Sequence, residues 1–263
     1  MAGWIGWVYF FVLLISALAF ARAMIANWRT PLLYSVIWAL LGWTVACVVI
    51  ITSPGFQFVA LTLFGCASVA VMGARNPNAA AWQFVVCGLA GVLLLPLIES
   101  SVRDRPVDLS EVRSAFVWGL SAFASLNYLF TRLAFPTILL AVGGTLTFYI
   151  PKLTAVDPVV SFGHFVGLLC LWSAPAVAWL GFRDRRRDKS PTDRLWFSFR
   201  DRYGAVWALR VMEQFNRSAA NAGSETTMKW NGLKGIDDAA AYERLTALLK
   251  RFGLPADHMF GPA

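Results

Sequence analysis

Through its first 182 positions the chain runs in long apolar blocks broken by short polar punctuation. After that the pattern changes to apolar residues at three- and four-residue spacing among charges. Seven blocks, 4–21, 32–52, 55–73, 79–98, 114–131, 133–151 and 158–182, hold no Asp, Glu, Lys or Arg in their interiors. A bilayer core about 30 Å thick is crossed by about 20 residues of helix, each rising about 1.5 Å. A charge at mid-span costs on the order of 3 kcal/mol, so charge-free interiors are the expected signature of a span. Lipid offers no partner to backbone N–H and C=O groups, which makes helix the expected form of each block. The pattern predicts an all-α integral membrane protein with about seven transmembrane helices, followed by a small helix-rich cytoplasmic C-terminal domain with a β-hairpin.

The punctuation agrees with this division. Thr30-Pro31, Ser53-Pro54-Gly55 and Asn76-Pro77-Asn78 are turn chemistry between blocks. Pro136 lies near the start of the sixth block, where a missing N–H is tolerated. Gly143-Gly144 either weakens the middle of that block or admits a close neighbour. Blocks five and six read as two full spans or as a re-entrant hairpin. Ala17-Leu18-Ala19 and Ala19-Phe20-Ala21 resemble cleavage sites, but Met1-Ala2-Gly3 carries no Lys or Arg, so the first span is expected to be retained.

Beyond the blocks, Ser190-Pro191-Thr192-Asp193 is a helix start: a capping hydroxyl, a proline at the first helical position and an acid at the positive helix end. Leu195, Trp196, Phe199, Tyr203 and Val206 then recur on one face, and after Gly204 the face shifts to Ala205, Ala208, Leu209, Met212, Phe215 and Ala219. The shift predicts a kink or a second helix, ending near Gly223. Strand-like residues begin the segment 226–233, and Asn231-Gly232 is a hairpin-turn dipeptide. A last helix is expected to be capped by Asp237 or Asp238, to bury Tyr242, Leu245, Leu248, Leu249 and Phe252, and to end at Gly253-Leu254-Pro255. The organisation is thus a polytopic transmembrane domain, 1–182, and a basic tail, 183–263. The tail divides into a linker 183–190, amphipathic helices 191–222, a hairpin 226–235 and a final helix 237–252. A tail this small has a marginal core of its own and is expected to lean on the membrane body, the bilayer or a partner.

Charge sharpens the division and sets an orientation. The chain is 14% charged, against about 25% for a soluble domain. Residues 1–182 hold 8 Lys/Arg and 5 Asp/Glu, and residues 183–263 hold 15 and 10. Seven spans put Arg22, Arg29, Arg75 and Arg132 on the tail side and Arg103, Arg105, Arg113 and Lys152 on the other. Arg183, Arg185, Arg186, Arg187 and Lys189 break that tie and predict a cytoplasmic tail, an outside N-terminus and residence in the cell (inner) membrane. Trp196, Phe199, Arg200 and Arg202 join this basic run as candidate contacts with the membrane surface or a partner protein. Two readings of their helix stay open: it lies in the membrane interface, or it packs on the tail's own core. Anionic lipid of the inner leaflet and a membrane or cytoplasmic protein are the expected partners. Nucleic acid is not expected, because the tail's arginines are interleaved with Asp.

Candidate chemistry is sparse. The chain has no phosphate-binding GxxxxGK[ST], no HExxH and no GxSxG motif. Its cysteines, Cys47, Cys66, Cys87 and Cys170, lie in apolar blocks without CxxC spacing and read as small buried hydrophobes. No cofactor or metal is expected. Asn216-Arg217-Ser218 matches a glycosylation sequon that a cytoplasmic location would leave unused. One weak constellation remains, an outward-facing polar site of Glu99, His164, Asn127, Lys152 and Asp157, with Gln57 and Gln83 as further polar groups at depth. The expected function is that of a scaffold, assembly factor or regulatory subunit whose tail engages the membrane surface or a partner. The alternatives are a transporter or channel-like protein for a small weakly polar solute, and an intramembrane lipid-acting enzyme using Glu99 and His164.

Overall fold

The apolar blocks fold as helices bounded by the turn chemistry between them. The computed structural model describes residues 2–48, 55–75, 78–103, 111–148, 157–181, 189–235 and 239–253. Among these, seven apolar helices follow one another: α1 (Ala2–Asn27), α2 (Leu32–Val48), α3 (Gly55–Met72), α4 (Ala79–Arg103), α5 (Glu111–Leu129), α6 (Ala134–Phe148) and α7 (Asp157–Gly181). Two stretches, Phe10–Asn27 in α1 and Ala79–Ser100 in α4, are long and apolar enough to cross a membrane. Leu32–Cys47, Phe58–Met72, Ala115–Leu129, Ala134–Thr147 and Phe165–Leu180 are shorter apolar stretches. The reading of seven spans is therefore matched at full length by two of them.

Helix α2 packs along α3, and α6 along α7; α7 also meets α1, while α3 carries α4 and α5. The close approach expected near Gly143-Gly144 is real. A Cβ on Gly143 would lie 2.8 Å from the Gly167 carbonyl oxygen of α7, and one on Gly167 would lie 3.0 Å from that of Gly143. Small residues on both helices let the backbones touch, which is how helices gain contact where lipid removes the hydrophobic driving force. Polar side chains tie the bundle across helices: Ser35 donates to the Ala67 carbonyl (2.7 Å), and Trp38 Nε1–H to Gln83 Oε1 (3.1 Å). Gln83 is thus a crosslink, its amide also donating to Ala79 O. Among the cysteines Cys87 is exposed, not buried as the sequence suggested.

The tail is built from α8 (Pro191–Asn221), a hairpin of β1 (Thr227–Lys229) and β2 (Gly232–Lys234), and α9 (Ala239–Leu249) with a 3-10 turn, Lys250–Phe252. Ser190 Oγ accepts from the Asp193 N–H at 3.2 Å, with Pro191 opening the helix, so the cap works as its sequence implied. Residues 236–238, where Asp237 or Asp238 would cap α9, lie outside the described residues. The hairpin turn is Trp230-Asn231, one residue earlier than Asn231-Gly232, with Lys229 opposite Gly232. Gly232 is drawn into the strand by Asp193. The carboxylate accepts the Leu233 N–H at 2.7 Å and lies where a Cβ on Gly232 would be, 3.1 Å from Asp193 Cγ.

The aromatic face of α8 is not offered to a bilayer. Trp196, Phe199 and Tyr203 are fully buried, packed with Leu245, Leu249 and Phe252 from the end of the chain. Phe252 sits edge-on to Phe199, Tyr203 and Trp207 at 4.9, 5.2 and 5.1 Å. This corrects the interfacial reading for Trp196 and Phe199: the amphipathic face is consumed by the tail's own core. That core also takes in Leu32, Val71 and Ala74 from the ends of α2 and α3 and the turn after α3, so the tail leans on the helical bundle.

Tyr203 donates its hydroxyl to the Phe252 carbonyl at 2.9 Å. Tyr203→Phe is expected to lower stability by about 1 kcal/mol, measured by thermal unfolding of the full chain. Burial raises the Tyr203 pKa above its ordinary value. Its share of stability is therefore complete below the unfolded value of about 10 and declines as pH rises beyond it. The same substitution should flatten that alkaline decline.

Candidate functional site at the junction of bundle and tail

Helix α8 is interrupted at Gly204, whose φ of 77° and ψ of −177° are far from helical. A break of this kind frees the hydrogen bond that Val206 N–H would make to the Arg202 carbonyl, four residues back. Both freed groups are taken by neighbours on α5. Asn127 Oδ1 accepts from Val206 N–H at 3.0 Å, and the Tyr128 hydroxyl donates to Arg202 O at 3.2 Å. Buried backbone groups need partners, so the kink is completed by the bundle. Gly204 is required twice. Its backbone region is essentially closed to other residues, and a Cβ there would lie 2.6 Å from Asn127 Cγ.

Beside the kink, Asp201 is 3% exposed and Arg200 7%. Arg200 Nε and Nη2 both donate to Asp201 Oδ1, at 3.0 and 2.8 Å, and Nη1 donates to the Trp230 carbonyl at 2.8 Å. The guanidinium lies between the Phe197 and Trp230 rings, 4.9 and 5.1 Å from their centroids. From the bundle, Arg132 Nε approaches Asp201 Oδ2 at 3.7 Å, and Trp230 Nε1–H donates to Phe130 O at 3.2 Å. The turn between α5 and α6 is thereby clasped between α8 and the hairpin. Asn216 binds the hairpin from the far half of α8, accepting Met228 N–H (2.6 Å) and donating to Met228 O (3.0 Å). Its amide is a structural tie across the tail.

A second feature of the junction is a cavity of about 310 Å³ between the α3–α4 turn and the second half of α8. Arg75, Arg210, Arg217 and Arg251 line it, with Glu213. Trp207 forms its floor and is anchored by Nε1–H donating to Val71 O at 2.9 Å.

The residues singled out from sequence are dispersed. Asn127 belongs to the junction and not to an outward-facing site. It lies 16 residues along α5 from Glu111, about 24 Å at helical rise, whereas Glu99 is exposed near the opposite end of the bundle, on α4. The helix of Glu99 packs chiefly on α3, and the helix of His164 packs chiefly on α6 and α1. Lys152, Arg183, Arg185, Arg186 and Arg187, like the side chains of Gln57, Asp157 and His164, lie outside the described residues. Lys189 is exposed. Arg200 is buried in the junction, not turned toward lipid, because Asp201 and the Trp230 carbonyl hold it. Arg202 is half-buried, and burial lowers its pKa. No group of three or more His, Cys, Asp or Glu able to hold a metal occurs among the described residues. The junction was missed because its parts, Tyr128, Arg132, Asp201 and Trp230, are distant in sequence. The signal present was Gly204, where the apolar face shifts. Comparison with family models, curated proteins and solved structures finds no match.

Proposed function

We propose that this chain is a multi-spanning membrane protein acting as a scaffold, assembly factor or regulatory subunit. Its bundle lies in the cell (inner) membrane, its N-terminus outside and its tail cytoplasmic. The observation that carries this reading is the distribution of exposed apolar side chains. Phe10, Phe11 and Leu18 on α1, Phe84 and Val92 on α4, and Phe135 on α6 are more than half exposed. Leu209 is the one exposed large apolar side chain among the described residues of the tail. An apolar belt of that extent suits lipid, and a tail without one suits water. The tail is then a rigid platform keyed to three turns of the bundle, with Arg183, Arg185, Arg186, Arg187 and Lys189 placed to meet anionic lipid.

Two measurements test this. A cysteine placed at Ser224 should be shielded from an impermeant maleimide in intact cells, while one placed at Ser101 should react; the reverse result sinks the orientation. Native mass spectrometry of the full chain released from its own membranes should find a second protein at fixed stoichiometry. The chain alone, together with solute flux in proteoliposomes, would favour the transporter reading.

A further inference from the structure

We propose that the cavity between the α3–α4 turn and the second half of α8 binds a phosphate-bearing ligand. Its four arginines come from three separate elements: Arg75 from the turn, Arg210 and Arg217 from α8, and Arg251 from the 3-10 turn after α9. Against them stands one carboxylate, Glu213, giving the lining a net charge of +3. Glu213 pairs with Arg217 at 2.8 Å, one helical turn away, in a solvent-exposed contact. Arg75, Arg210 and Arg251 form no ion pair with a carboxylate among the described residues. Unrelated stretches of chain thus bring like charges to one concavity. The four side chains are solvent-exposed, so water screens their mutual repulsion, and the concavity offers an anion a positive field from several sides.

The floor is pre-organised. Trp207 is pinned by its bond to Val71 O and by the edge of Phe252, and the Arg210 guanidinium lies 5.3 Å from the centre of its ring. That cation–π contact tethers the otherwise exposed Arg210 side chain beside the cavity. Gln214 adds a neutral donor. Phosphate, with three oxygens that each accept several bonds, matches converging guanidiniums better than a single carboxylate does. The volume of about 310 Å³ falls at the lower end of small-ligand sites and suits a headgroup or a small phosphate ester. The cavity opens at the bundle end that carries the tail, so the same chemistry can arrive on an anionic lipid or in solution.

The experiment uses the full chain in phosphatidylcholine nanodiscs. Inorganic pyrophosphate is titrated calorimetrically in one arm. In the other, nanodiscs doped with phosphatidic acid are assayed for bound lipid by native mass spectrometry. Saturable 1:1 binding in the first arm alone assigns a soluble ester, in the second alone a lipid headgroup, and in both the shared phosphate chemistry. The variant Arg210→Gln/Arg251→Gln should weaken that binding at least about ten-fold. The charge-matched variant Lys229→Gln/Lys234→Gln, on the exposed hairpin, should stay within about two-fold. Because Arg210 packs on Trp207, Arg75→Gln is measured alongside, its side chain being exposed, and should weaken binding on its own. Absence of binding in both arms, or equal weakening by the two double variants, overturns the proposal. Neither outcome depends on what the tail holds, so the scaffold reading stands or falls separately.

Discussion

Replacing Gly204 with alanine is expected to destabilise the docked tail by roughly 2–4 kcal/mol. A non-glycine residue held in this backbone region costs about 1–3 kcal/mol. The added methyl must also displace Asn127, whose Cγ would be 2.6 Å away. Moving Asn127 strands the Val206 N–H that it accepts, a further loss of about 1–3 kcal/mol for a buried donor. The two halves of α8 then lose the geometry that brings Trp207 to Val71 and the Arg202 carbonyl to Tyr128. Thermal unfolding followed by tryptophan fluorescence reads the loss, and limited proteolysis within α8 locates it. Adding Asn127→Ala to Gly204→Ala relieves the collision but not the backbone strain or the stranded donor, so rescue should be partial. A melting temperature unchanged by Gly204→Ala would mean that the kink is not keyed to α5.

Asp201→Ala is the second large effect, at about 3–5 kcal/mol, the range for removing one partner of a buried ion pair. Arg200 stays behind, 7% exposed, with two of its donors to Oδ1 unmet and only the Trp230 carbonyl remaining. Arg132→Ala should cost far less, since its contact with Asp201 is 3.7 Å long and its side chain is 29% exposed. Exchanging Arg200 and Asp201 together for apolar residues of similar size is expected to recover most of the loss, because neither desolvated charge is then left alone. Chemical denaturation of the parent chain, the Arg200 and Asp201 single exchanges and the double exchange forms a double-mutant cycle. A small loss for Asp201→Ala, erased by salt, would place the pair at the surface.

These two residues show where sequence reasoning stops. Arg200 and Asp201 are neighbours, and on a helix adjacent side chains diverge by about 100° and do not face each other. Read along the chain, the arginine points to lipid or partner and the aspartate merely dilutes its charge. In the fold, the α5–α6 turn and the Trp230 carbonyl draw both into one buried cluster. The aromatic run of α8 has the same ambiguity. Its spacing says that one face is covered, without saying by what, and α9 with the ends of α2 and α3 supplies the cover. The basic cavity left no trace, since Arg75 and Arg251 are far apart in the sequence and line one cavity only in the fold.

What the sequence by itself determined is local. Apolar blocks, proline and glycine punctuation, the Ser190 cap, the hairpin and the left-handed stop at Gly253 are set by hydrophobicity and backbone preference over a few residues, and they reappear with small shifts. Tertiary structure alone decided which turns of the bundle the tail grips, that α5 completes the broken ladder of α8, and that Asn127 serves the tail. Those outcomes depend on pairs far apart in the chain. Their energies arise from desolvation and hydrogen-bond complementarity, which exist only once the elements have met.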